Sequence, residues 1–366
     1  MEKILSPYCD KVSKESNIYF GIDVLNELNE KIKPYTPDKV IIVTENNINK
    51  IYGEKVLNRI KKDFEADVIS IPAGEKYKTP ETYLNLCDEL LSKEITKKSF
   101  IVLLGGGVLG NLGGFAASTI MRGLRFAYLP TTIMAQADST TGGKQGVNTK
   151  AGKNLLGIFN DPEFVFIDFI FLRTLPKREI KCGLAECIKH ALCQDKEFYE
   201  KLMEKLNAEA EYSLESLWWI IEKTLRLKME ILRIDPKEIN EGKILVYGHT
   251  IGHAIETLSK GALNHGEAIA IGMACAGEIS KILGFAGTKL VDKQKEILQK
   301  AGLPIKIPGE ISKENIIKQL GYDKKYGYGG KEFILLDYIG KMANIEGKYG
   351  IRVKPELIEQ AIDLCY

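Results

Sequence analysis

The sequence has no apolar run of membrane-spanning length, and its N-terminal segment, MEKILSPYCDK, lacks the apolar core of a signal peptide. Its seven cysteines are odd in number and form no CxxC pair, which argues against a disulfide framework and for a reducing compartment. The net charge is only +2, and no lysine or arginine stripe is interleaved with aromatic residues. These absences predict a cytoplasmic protein that binds neither a membrane nor nucleic acid.

Histidine is also scarce, but its distribution is uneven, since three of the four histidines lie between positions 249 and 265. His249 and His253 are four residues apart and share one face of a helix. The helical pattern from Ile251 to Leu258 stops near Gly261, so we expect His265 to begin a second helix that folds back towards the first. Imidazole is the commonest metal ligand. The cluster predicts a partly protein-liganded metal site; ordinary helix histidines satisfied by their neighbours are the alternative.

Short β-branched runs and helical patterns divide the chain into two parts. Up to about residue 172, predicted strands such as 39–46, 99–107 and 164–168 alternate with helical stretches, which is typical of a mostly parallel sheet with helices on both faces. Long amphipathic helical patterns follow from residue 173. We therefore predict a Rossmann-like α/β domain over 1–172 and an all-helical domain over 173–366.

A glycine-rich segment from Gly105 to Gly114, GGGVLGNLGG, follows the apolar strand FIVLL and precedes the helical stretch FAASTIM. Glycines let the backbone approach a pyrophosphate, and the N-terminus of the following helix supplies amide donors. The segment predicts a nucleotide or phosphate site. Because its spacing matches neither the Walker A pattern nor G-x-G-x-x-G, a tight turn with close helix–strand packing is the alternative.

Charged side chains on glycine-punctuated loops follow this segment. They are Asp138, Lys144 and Lys153, with the amide Asn154 beside them, and the positively charged donors among them suit a phosphorylated substrate. Any one lysine could instead be a solvated surface residue. Further on, Glu186 in GLAECIKH could complete a site of two histidines and one carboxylate. A salt bridge on the helix face is the alternative for Glu186.

Taken together, the motifs resemble those of the 3-dehydroquinate synthase family, the sugar-phosphate cyclases. In family order and spacing they are GGGVLGNLGGFAA, MRG, PTT, ADSTTGGK, GKN, TLPKRE, GLAECIK, GHTIGHAIE, HGEAIAIGM and DKK, which together span most of the chain. The resemblance implies a 3-dehydroquinate synthase-like fold, with an NAD-binding α/β domain and a helical domain that binds a metal and the substrate. It also implies a homodimer, a phosphorylated sugar substrate, NAD, and one divalent metal, zinc or cobalt.

The resemblance assigns roles residue by residue. The metal ligands would be Glu186, His249 and His265, which leaves His253 a substrate or proton role. The nicotinamide nucleotide would meet Glu75, Lys78, Gly105, Gly106, Gly107, Asn111, Thr131, Thr132, Asp138, Ser139, Lys153, Thr174, Leu175 and Glu179. The substrate would meet Lys144, Asn154, Lys189, Lys228 and Lys324 or Lys325, with Arg122 reaching in from the partner subunit.

The sequence departs from the pattern of a 3-dehydroquinate synthase at three positions. Asn111 replaces an aspartate, and Gly242 and Val246 stand where an arginine and an asparagine ordinarily precede the first metal histidine. The arginine helps to hold the substrate carboxylate, and Lys243 could replace it only as a point charge. Asn111, the pair Lys144-Gln145 and the letters YGHT look more like 2-deoxy-scyllo-inosose synthase, which cyclises glucose 6-phosphate. The acidic residue which that enzyme has at the Val246 place is also missing.

We therefore expect a phosphate-eliminating cyclase, a carbon–oxygen lyase, that forms a carbocycle. The implied reaction is transient oxidation, β-elimination of phosphate, reduction, ring opening and intramolecular aldol closure. The departures favour a 2-deoxy-scyllo-inosose synthase-like activity on a sugar phosphate such as glucose 6-phosphate. The alternatives are a 3-dehydroquinate synthase of the shikimate pathway, a metal-dependent polyol dehydrogenase, and a non-catalytic NAD-binding descendant.

Overall fold

The computed structural model describes the backbone of residues 2–6 and, in full, residues 16–150, 152–321 and 331–366. The chain divides into two compact units, Met1–Leu175 and Pro176–Tyr366. Within the described residues, no helix is both long and apolar enough to cross a membrane.

Strands dominate the first unit, and seven of them form one sheet. The strands are β1 (Glu2–Ser6), β2 (Ser16–Gly21), β3 (Val40–Glu45), β4 (Ala66–Ile71), β5 (Phe100–Gly105), β6 (Arg125–Pro130), β7 (Lys144–Thr149), β8 (Gly152–Phe159) and β9 (Phe164–Asp168). The sheet has the order β1-β2-β9-β6-β5-β3-β4, in which β1 runs antiparallel to β2 and all other neighbours are parallel. The predicted mostly parallel sheet is confirmed. Strands β3 and β5 are buried at every residue, which explains the apolar runs at positions 40–43 and 100–104.

Helices connect the parallel strands of the first unit. They are α1 (Leu28–Ile32), α2 (Asn46–Ile48), α3 (Glu54–Ile60), α4 (Pro80–Ser92) and α5 (Gly107–Thr119), with a π-helical turn at Asn49–Gly53 between α2 and α3. Helix α4 begins where the sequence supplies a cap, because the Thr79 hydroxyl accepts a hydrogen bond from the Thr82 N–H at 3.2 Å and Pro80 occupies the first helical position.

Strands β7 and β8 form an antiparallel hairpin that is separate from the main sheet. The sequence analysis did not predict this hairpin, because its glycine-rich, polar residues resemble loops. Gly146 and Gly157 face each other across it, and a Cβ on Gly157 would lie 2.1 Å from the Gln145 carbonyl oxygen. The two glycines therefore allow the strands to approach closely.

The second unit is helical, as predicted. Its helices are α6 (Lys177–Gln194), α7 (Lys196–Lys205), α8 (Leu214–Ile234), α9 (His249–Leu258), α10 (His265–Ile282), α11 (Thr288–Lys300), α12 (Lys313–Gln319) and α13 (Pro355–Asp363). The structure adds two short antiparallel sheets, in which β10 (Lys331–Phe333) pairs with β13 (Ile351–Val353) and β11 (Leu336–Tyr338) pairs with β12 (Lys341–Met342). Helix α10 is buried from Ala268 to Ser280 and contacts α6, α9, α11 and α13, so it is the central helix of this unit.

Glycines allow α9 to pack very closely against α10. A Cβ on Gly272 of α10 would lie 2.0 Å from the Gly248 carbonyl oxygen and 2.7 Å from the Gly252 backbone nitrogen. Gly248 also has a positive φ of 77°, which favours glycine at the turn that precedes α9. This backbone contact determines how the N-terminal residue of α9, His249, is held relative to α10.

Candidate active site

Three side chains of the second unit direct one donor atom each to a common point. Glu186 lies in α6, His249 begins α9, and His265 begins α10. The Glu186 Oε1 atom is 3.6 Å from His249 Nε2 and 3.4 Å from His265 Nε2. The structure thus brings together the three residues that the resemblance named as metal ligands.

The spacing of these three atoms fits a divalent metal ion. Zinc binds imidazole nitrogen and carboxylate oxygen at about 2.0–2.2 Å, so two ligands of a tetrahedral site are about 3.3 Å apart. The two distances from Glu186 are close to that value. His253 also has a ring nitrogen within 4.8 Å of those of His249 and His265, as the spacing of the sequence predicted. Its ring is exposed, whereas Glu186 is almost completely buried.

Further hydrogen bonds orient both imidazoles. The Nδ1 atom of His249 lies 3.0 Å from the backbone carbonyl oxygen of Tyr247, and the Nδ1 atom of His265 lies 3.2 Å from Glu256 Oε2. In each ring an acceptor beside Nδ1 favours the tautomer that carries the proton there and leaves Nε2 able to bind a metal. The sequence analysis missed Glu256, although its place in GHAIE, three residues after His253, was a usable signal.

The two imidazoles beside Glu186 differ in pKa. Burial lowers the pKa of His249 to about 3, so its ring is neutral near pH 7. Burial also disfavours the charged form of His265, but hydrogen bonds to Glu186 and Glu256 outweigh it and raise its pKa to about 9. The difference arises because His265 has a carboxylate beside each nitrogen, whereas one nitrogen of His249 faces a neutral carbonyl. A metal ion at this site would therefore displace a proton from His265.

Lys189, a predicted substrate residue, lies one helical turn after Glu186. Its ammonium donates a hydrogen bond to Glu186 Oε2, and both side chains are almost completely buried. The two carboxylate oxygens are therefore divided between a cation and the pair of imidazoles. A buried carboxylate requires such compensation. Lys228, another predicted substrate residue, is buried on α8.

A capping box determines where His265 lies. The Asn264 side chain accepts a hydrogen bond from the Glu267 N–H at 2.9 Å, and the Glu267 carboxylate accepts one from the Asn264 N–H at 2.9 Å. Arg178 of α6 donates two hydrogen bonds to the same carboxylate, at 2.8 and 2.6 Å. The first turn of α10 is therefore secured to α6, the helix that carries Glu186.

In the first unit, a polar network joins residues predicted to bind nucleotide with residues predicted to bind substrate. The Lys78 ammonium donates to Asn111 Oδ1 at 2.7 Å and to Asn154 Oδ1 at 2.5 Å. The Asn111 amide nitrogen then donates to the Lys144 carbonyl oxygen at 2.7 Å. Asn154 has a left-handed backbone, with φ of 57°, which is uncommon outside glycine.

Asn148 connects this network to its remaining members. Its side-chain nitrogen donates to Glu75 Oε1 at 2.8 Å, and its side-chain oxygen accepts from the Asn154 N–H at 3.0 Å. Its backbone N–H donates to the Lys78 carbonyl at 2.8 Å, and Lys153 Nζ lies 4.0 Å from Glu75. The sequence analysis missed Asn148, whose only signal was its place in the VNTKAGKN stretch.

The glycine-rich turn lies against two further predicted residues. A Cβ on Gly106 would be 3.3 Å from Thr132 Cγ2, and a Cβ on Gly107 would be 2.7 Å from Ser139 Oγ. The Thr131 N–H donates to the Gly105 carbonyl at 3.0 Å. Asp138 precedes Ser139 in a π-helical turn, Ala135–Ser139. A side chain at position 106 or 107 would therefore crowd Thr132 or Ser139, which favours glycine at this turn.

The later glycines of the same segment serve packing, which was the alternative interpretation. A Cβ on Gly113 would be 2.7 Å from Leu103 Cδ2, and one on Gly114 would be 2.2 Å from Gln145 Oε1. Gln145 itself accepts a hydrogen bond from the Tyr128 hydroxyl at 2.7 Å and is buried. The close contacts expected from the alternative interpretation are therefore present at these later glycines.

The remaining predicted residues lie elsewhere. The Thr174 hydroxyl is 2.8 Å from the Tyr52 hydroxyl, and Leu175 ends the first unit. Glu179 belongs to α6 of the second unit, where burial raises its pKa. Arg122 is exposed and has a left-handed backbone, with φ of 69°. Lys324 and Lys325 lie outside the described residues.

Glu45 also lies at the glycine-rich turn but was not predicted. It ends β3, its side chain is buried, and its Oε2 atom accepts a hydrogen bond from the Gly106 N–H at 3.4 Å. Parallel strands end at the same edge of a sheet, so the ends of β3 and β5 meet there. The position of Glu45 at the end of a predicted strand was thus the sequence signal that could have identified it.

Comparison with known proteins places these features in one family. Residues 68–182 match the model of the 3-dehydroquinate synthase N-terminal domain, and residues 183–326 match that of the C-terminal domain. A 3-dehydroquinate synthase from Synechococcus sp. is 41% identical over 306 residues, which cover 82% of this chain and 83% of that protein. One from Prochlorococcus marinus is 40% identical over 349 residues, covering 92% and 94%. A crystal structure of 2-deoxy-scyllo-inosose synthase complexed with carbaglucose-6-phosphate, NAD+ and Co2+ matches with a TM-score of 0.91 and 31% identity, over all of both chains.

Proposed function

The chain belongs to the 3-dehydroquinate synthase family and is a sugar-phosphate cyclase, a carbon–oxygen lyase, and we propose that its substrate is a phosphorylated sugar without a carboxylate, such as glucose 6-phosphate. We propose NAD and one divalent metal ion as its cofactors. The 2-deoxy-scyllo-inosose synthase to which it is similar was crystallised with NAD+ and Co2+. The convergence of Glu186, His249 and His265 supports the metal ion.

The surroundings of Gly242 carry the proposal about the substrate. A Cβ at Gly242 would lie 2.8 Å from the Asp235 carbonyl oxygen and 2.9 Å from Glu238 Cγ, so an arginine does not fit there without movement of the backbone. Lys243, the only cation that the sequence offered as a replacement, has its Nζ 2.9 Å from Glu332 Oε2. A substrate carboxylate would therefore meet neither a bidentate clamp nor a readily available point charge in this segment.

The residues of the chain would then act as follows. Glu186, His249 and His265 would hold the metal ion through Oε1, Nε2 and Nε2. When bound, the metal ion would supply a Lewis acid for the sugar hydroxyls, and NAD would supply a reversible hydride acceptor. Lys189 and Lys144 would neutralise the phosphate as it leaves and the negative charge that develops on the sugar.

Three further residues complete the proposed assignment. Lys228 would share the neutralisation of charge, and Asn154 would bind the phosphate or a hydroxyl. His253, whose exposed ring is 5.1 Å from the His249 ring between centroids, would exchange a proton with the substrate.

A 3-dehydroquinate synthase activity is the second candidate. It is favoured by overall identity, which is 41% to the Synechococcus sp. 3-dehydroquinate synthase but 31% to the 2-deoxy-scyllo-inosose synthase. Gln145 does not distinguish between the two candidates, because its side chain is buried against Tyr128 and supports the hairpin. The choice between the candidates depends on the segment around Gly242.

A panel of substrates tests the proposal. Purified protein with NAD+ and Co2+ is offered glucose 6-phosphate, sedoheptulose 7-phosphate or the seven-carbon keto-acid phosphate. We expect inorganic phosphate and a carbocyclic product from a substrate without a carboxylate, with no net NADH absorbance because the hydride returns. A strong preference for the keto acid would establish the second candidate. Stoichiometric NADH without phosphate release would indicate a polyol dehydrogenase.

Variants test the site in the same assay. His265→Ala should remove bound metal and phosphate release together, because it deletes one of three ligands. Gly309→Ala is a matched control, since no atom lies within 4 Å of the added Cβ and both activity and metal content should remain. Full phosphate release by the His265→Ala variant would contradict the metal assignment.

We also propose a homodimer in which Arg122 acts in the partner's site. Leu155, Leu156, Ile158 and Phe159 of β8 are all exposed in the single chain, and such an apolar strand is typical of a surface that another subunit covers. Arg122 is exposed as well.

Mixing two inactive variants tests this arrangement. If Arg122 acts across the interface, Arg122→Ala and His265→Ala chains should complement each other, because the hybrid dimer contains one complete site. Random mixing would give about a quarter of the wild-type activity. If mass measurement shows that hybrid dimers of the two variants form but the mixture has no activity, Arg122 acts within its own chain.

A further inference from the structure

A buried tyrosine and a buried glutamine lie behind the metal-binding imidazoles. We infer that Gln294 of α11 is a positioning residue for the metal site, which it holds through Tyr247. Neither side chain belongs to the site itself, and both are fully buried. The inference rests on the proposed metal site and concerns how that site is kept in shape.

The chain of contacts begins at His249. Its Nδ1 atom lies 3.0 Å from the Tyr247 carbonyl oxygen, so the position of this carbonyl determines the orientation of the ring. The Tyr247 side chain points into the interior, where its hydroxyl donates a hydrogen bond to Gln294 Oε1 at 2.6 Å. Any shift of Tyr247 would therefore either break this bond or move Gln294.

Gln294 is fixed in turn by α10, the helix that begins with His265. Its Nε2 atom donates to the Met273 carbonyl oxygen at 2.5 Å, and a Cβ on Gly277 would lie 3.0 Å from the same nitrogen. Gly277 thus leaves the space that the amide occupies. Met273 also contacts the residue before His249, because a Cβ on Gly248 would lie 2.8 Å from the Met273 backbone nitrogen.

One amide therefore connects the two segments that carry the imidazoles. Its oxygen secures the segment Tyr247–His249, and its nitrogen secures α10. Metal–ligand distances usually lie within about 0.2 Å of their standard values, so the relative position of these two segments affects how well the site binds a metal ion. The amide oxygen and the amide nitrogen of Gln294 both have hydrogen-bond partners, so the side chain is held in one orientation between the two segments.

Removing the tyrosine hydroxyl gives the direct test, with Co2+ as the probe because its visible absorption depends on coordination geometry. Tyr247→Phe keeps the carbonyl that faces His249 but removes the bond to Gln294. We expect Co2+ to bind about threefold to tenfold more weakly, with an altered absorption band. This effect should be smaller than the 10–100-fold typical of a group that touches the ligand directly. Gln294→Met, of similar volume, removes both bonds of the amide and should weaken Co2+ binding at least as much as Tyr247→Phe. Adding Tyr247→Phe to Gln294→Met should have no further effect.

Tyr199→Phe is the matched control. The Tyr199 hydroxyl donates to the Lys293 carbonyl at 3.0 Å, so it holds the same helix through the backbone of the residue before Gln294 and not through the Gln294 amide. This variant should lose stability to a similar degree and keep the Co2+ affinity and spectrum of the wild type.

The possible results distinguish a failure of the proposed metal site from a failure of the role inferred for Gln294. If the wild-type protein binds no Co2+, the metal proposal fails. If it binds Co2+ and Tyr247→Phe and Gln294→Met both match Tyr199→Phe in affinity and spectrum, then Gln294 has only a structural role and the inference is wrong.

Discussion

Replacing Gly272 with alanine tests how α9 and α10 together build the metal site. The added Cβ would lie 2.0 Å from the Gly248 carbonyl oxygen and 2.7 Å from the Gly252 nitrogen. Ordinary contacts begin at about 3.4 Å, so the two backbones must separate by about 1.4 Å near the start of α9. Both neighbours are backbone atoms, which cannot move aside by a change of rotamer.

Whether Gly272→Ala stabilises or destabilises the protein depends on this contact. In a helix without such a neighbour, alanine in place of glycine would stabilise by about 1 kcal/mol. Overpacking a well-packed interior costs about 1–3 kcal/mol, and rigid backbone neighbours favour the upper end. We therefore expect a net loss of about 2 kcal/mol. A shift of about 1.4 Å is far larger than the scatter of about 0.2 Å in metal–ligand distances, so the affinity for Co2+ should fall by about 10–100-fold, as it does when groups that orient the ligands are changed.

Two measurements on the same variant check this. Urea unfolding of the metal-free protein gives the change in stability, and titration with Co2+ against a competing chelator gives the change in affinity. Gly309→Ala is the control, because the space around its Cβ is open. If Gly272→Ala is as stable as this control and binds Co2+ equally well, the close packing of α9 on α10 does not shape the site.

Three other predictions follow from individual contacts. Asn148→Asp should weaken NAD+ binding about tenfold in equilibrium dialysis, because a carboxylate would then face Glu75. Adding Glu75→Gln should recover part of the loss, and if the effects of the two substitutions on NAD+ affinity simply add, the two side chains are not coupled. Lys189→Met should destabilise the metal-free protein by up to about 3 kcal/mol in urea unfolding, because it removes one of the two cations beside buried Glu186 and leaves only the protonated His265. Saturating Co2+ should reduce the difference. Burial of Asp235 opposes ionisation, but backbone N–H donors, including that of Gly242 at 2.9 Å, outweigh it and hold its pKa below 3.8. Its contribution to stability should therefore be complete above pH 3.8 and be lost as the pH falls below that value, and Asp235→Asn should weaken this dependence in unfolding measured from pH 6 to pH 3.

Much of the fold was predictable because its signals are local. Strands β3 and β5 are buried on both faces, so their sequences are apolar at successive positions and are easily distinguished from amphipathic helices. The start of α10 was also encoded locally, since Asn264 and Glu267 have the spacing of a capping box. His265 therefore begins a helix, as the sequence analysis expected.

The groups that support the site were not predictable, because their partners are distant in the sequence. Gln294 lies 47 residues from Tyr247, and Lys243 lies 89 residues from Glu332. Neither pair has a pattern that a single sequence reveals. In particular, Lys243 was an available cation in the sequence analysis, whereas the structure shows it paired with a carboxylate.

The metal site and the segment around Gly242 are stabilised by different contacts. The imidazoles depend on close packing between α9 and α10, whereas this segment is held by Asp235 and by Asn240, whose amide nitrogen donates to the Gly347 carbonyl at 2.9 Å. A change in one set of contacts need not disturb the other. Residues near position 242 can therefore change without disturbing Glu186, His249 and His265, which we propose as metal ligands, and this separation supports the proposed substrate without a carboxylate.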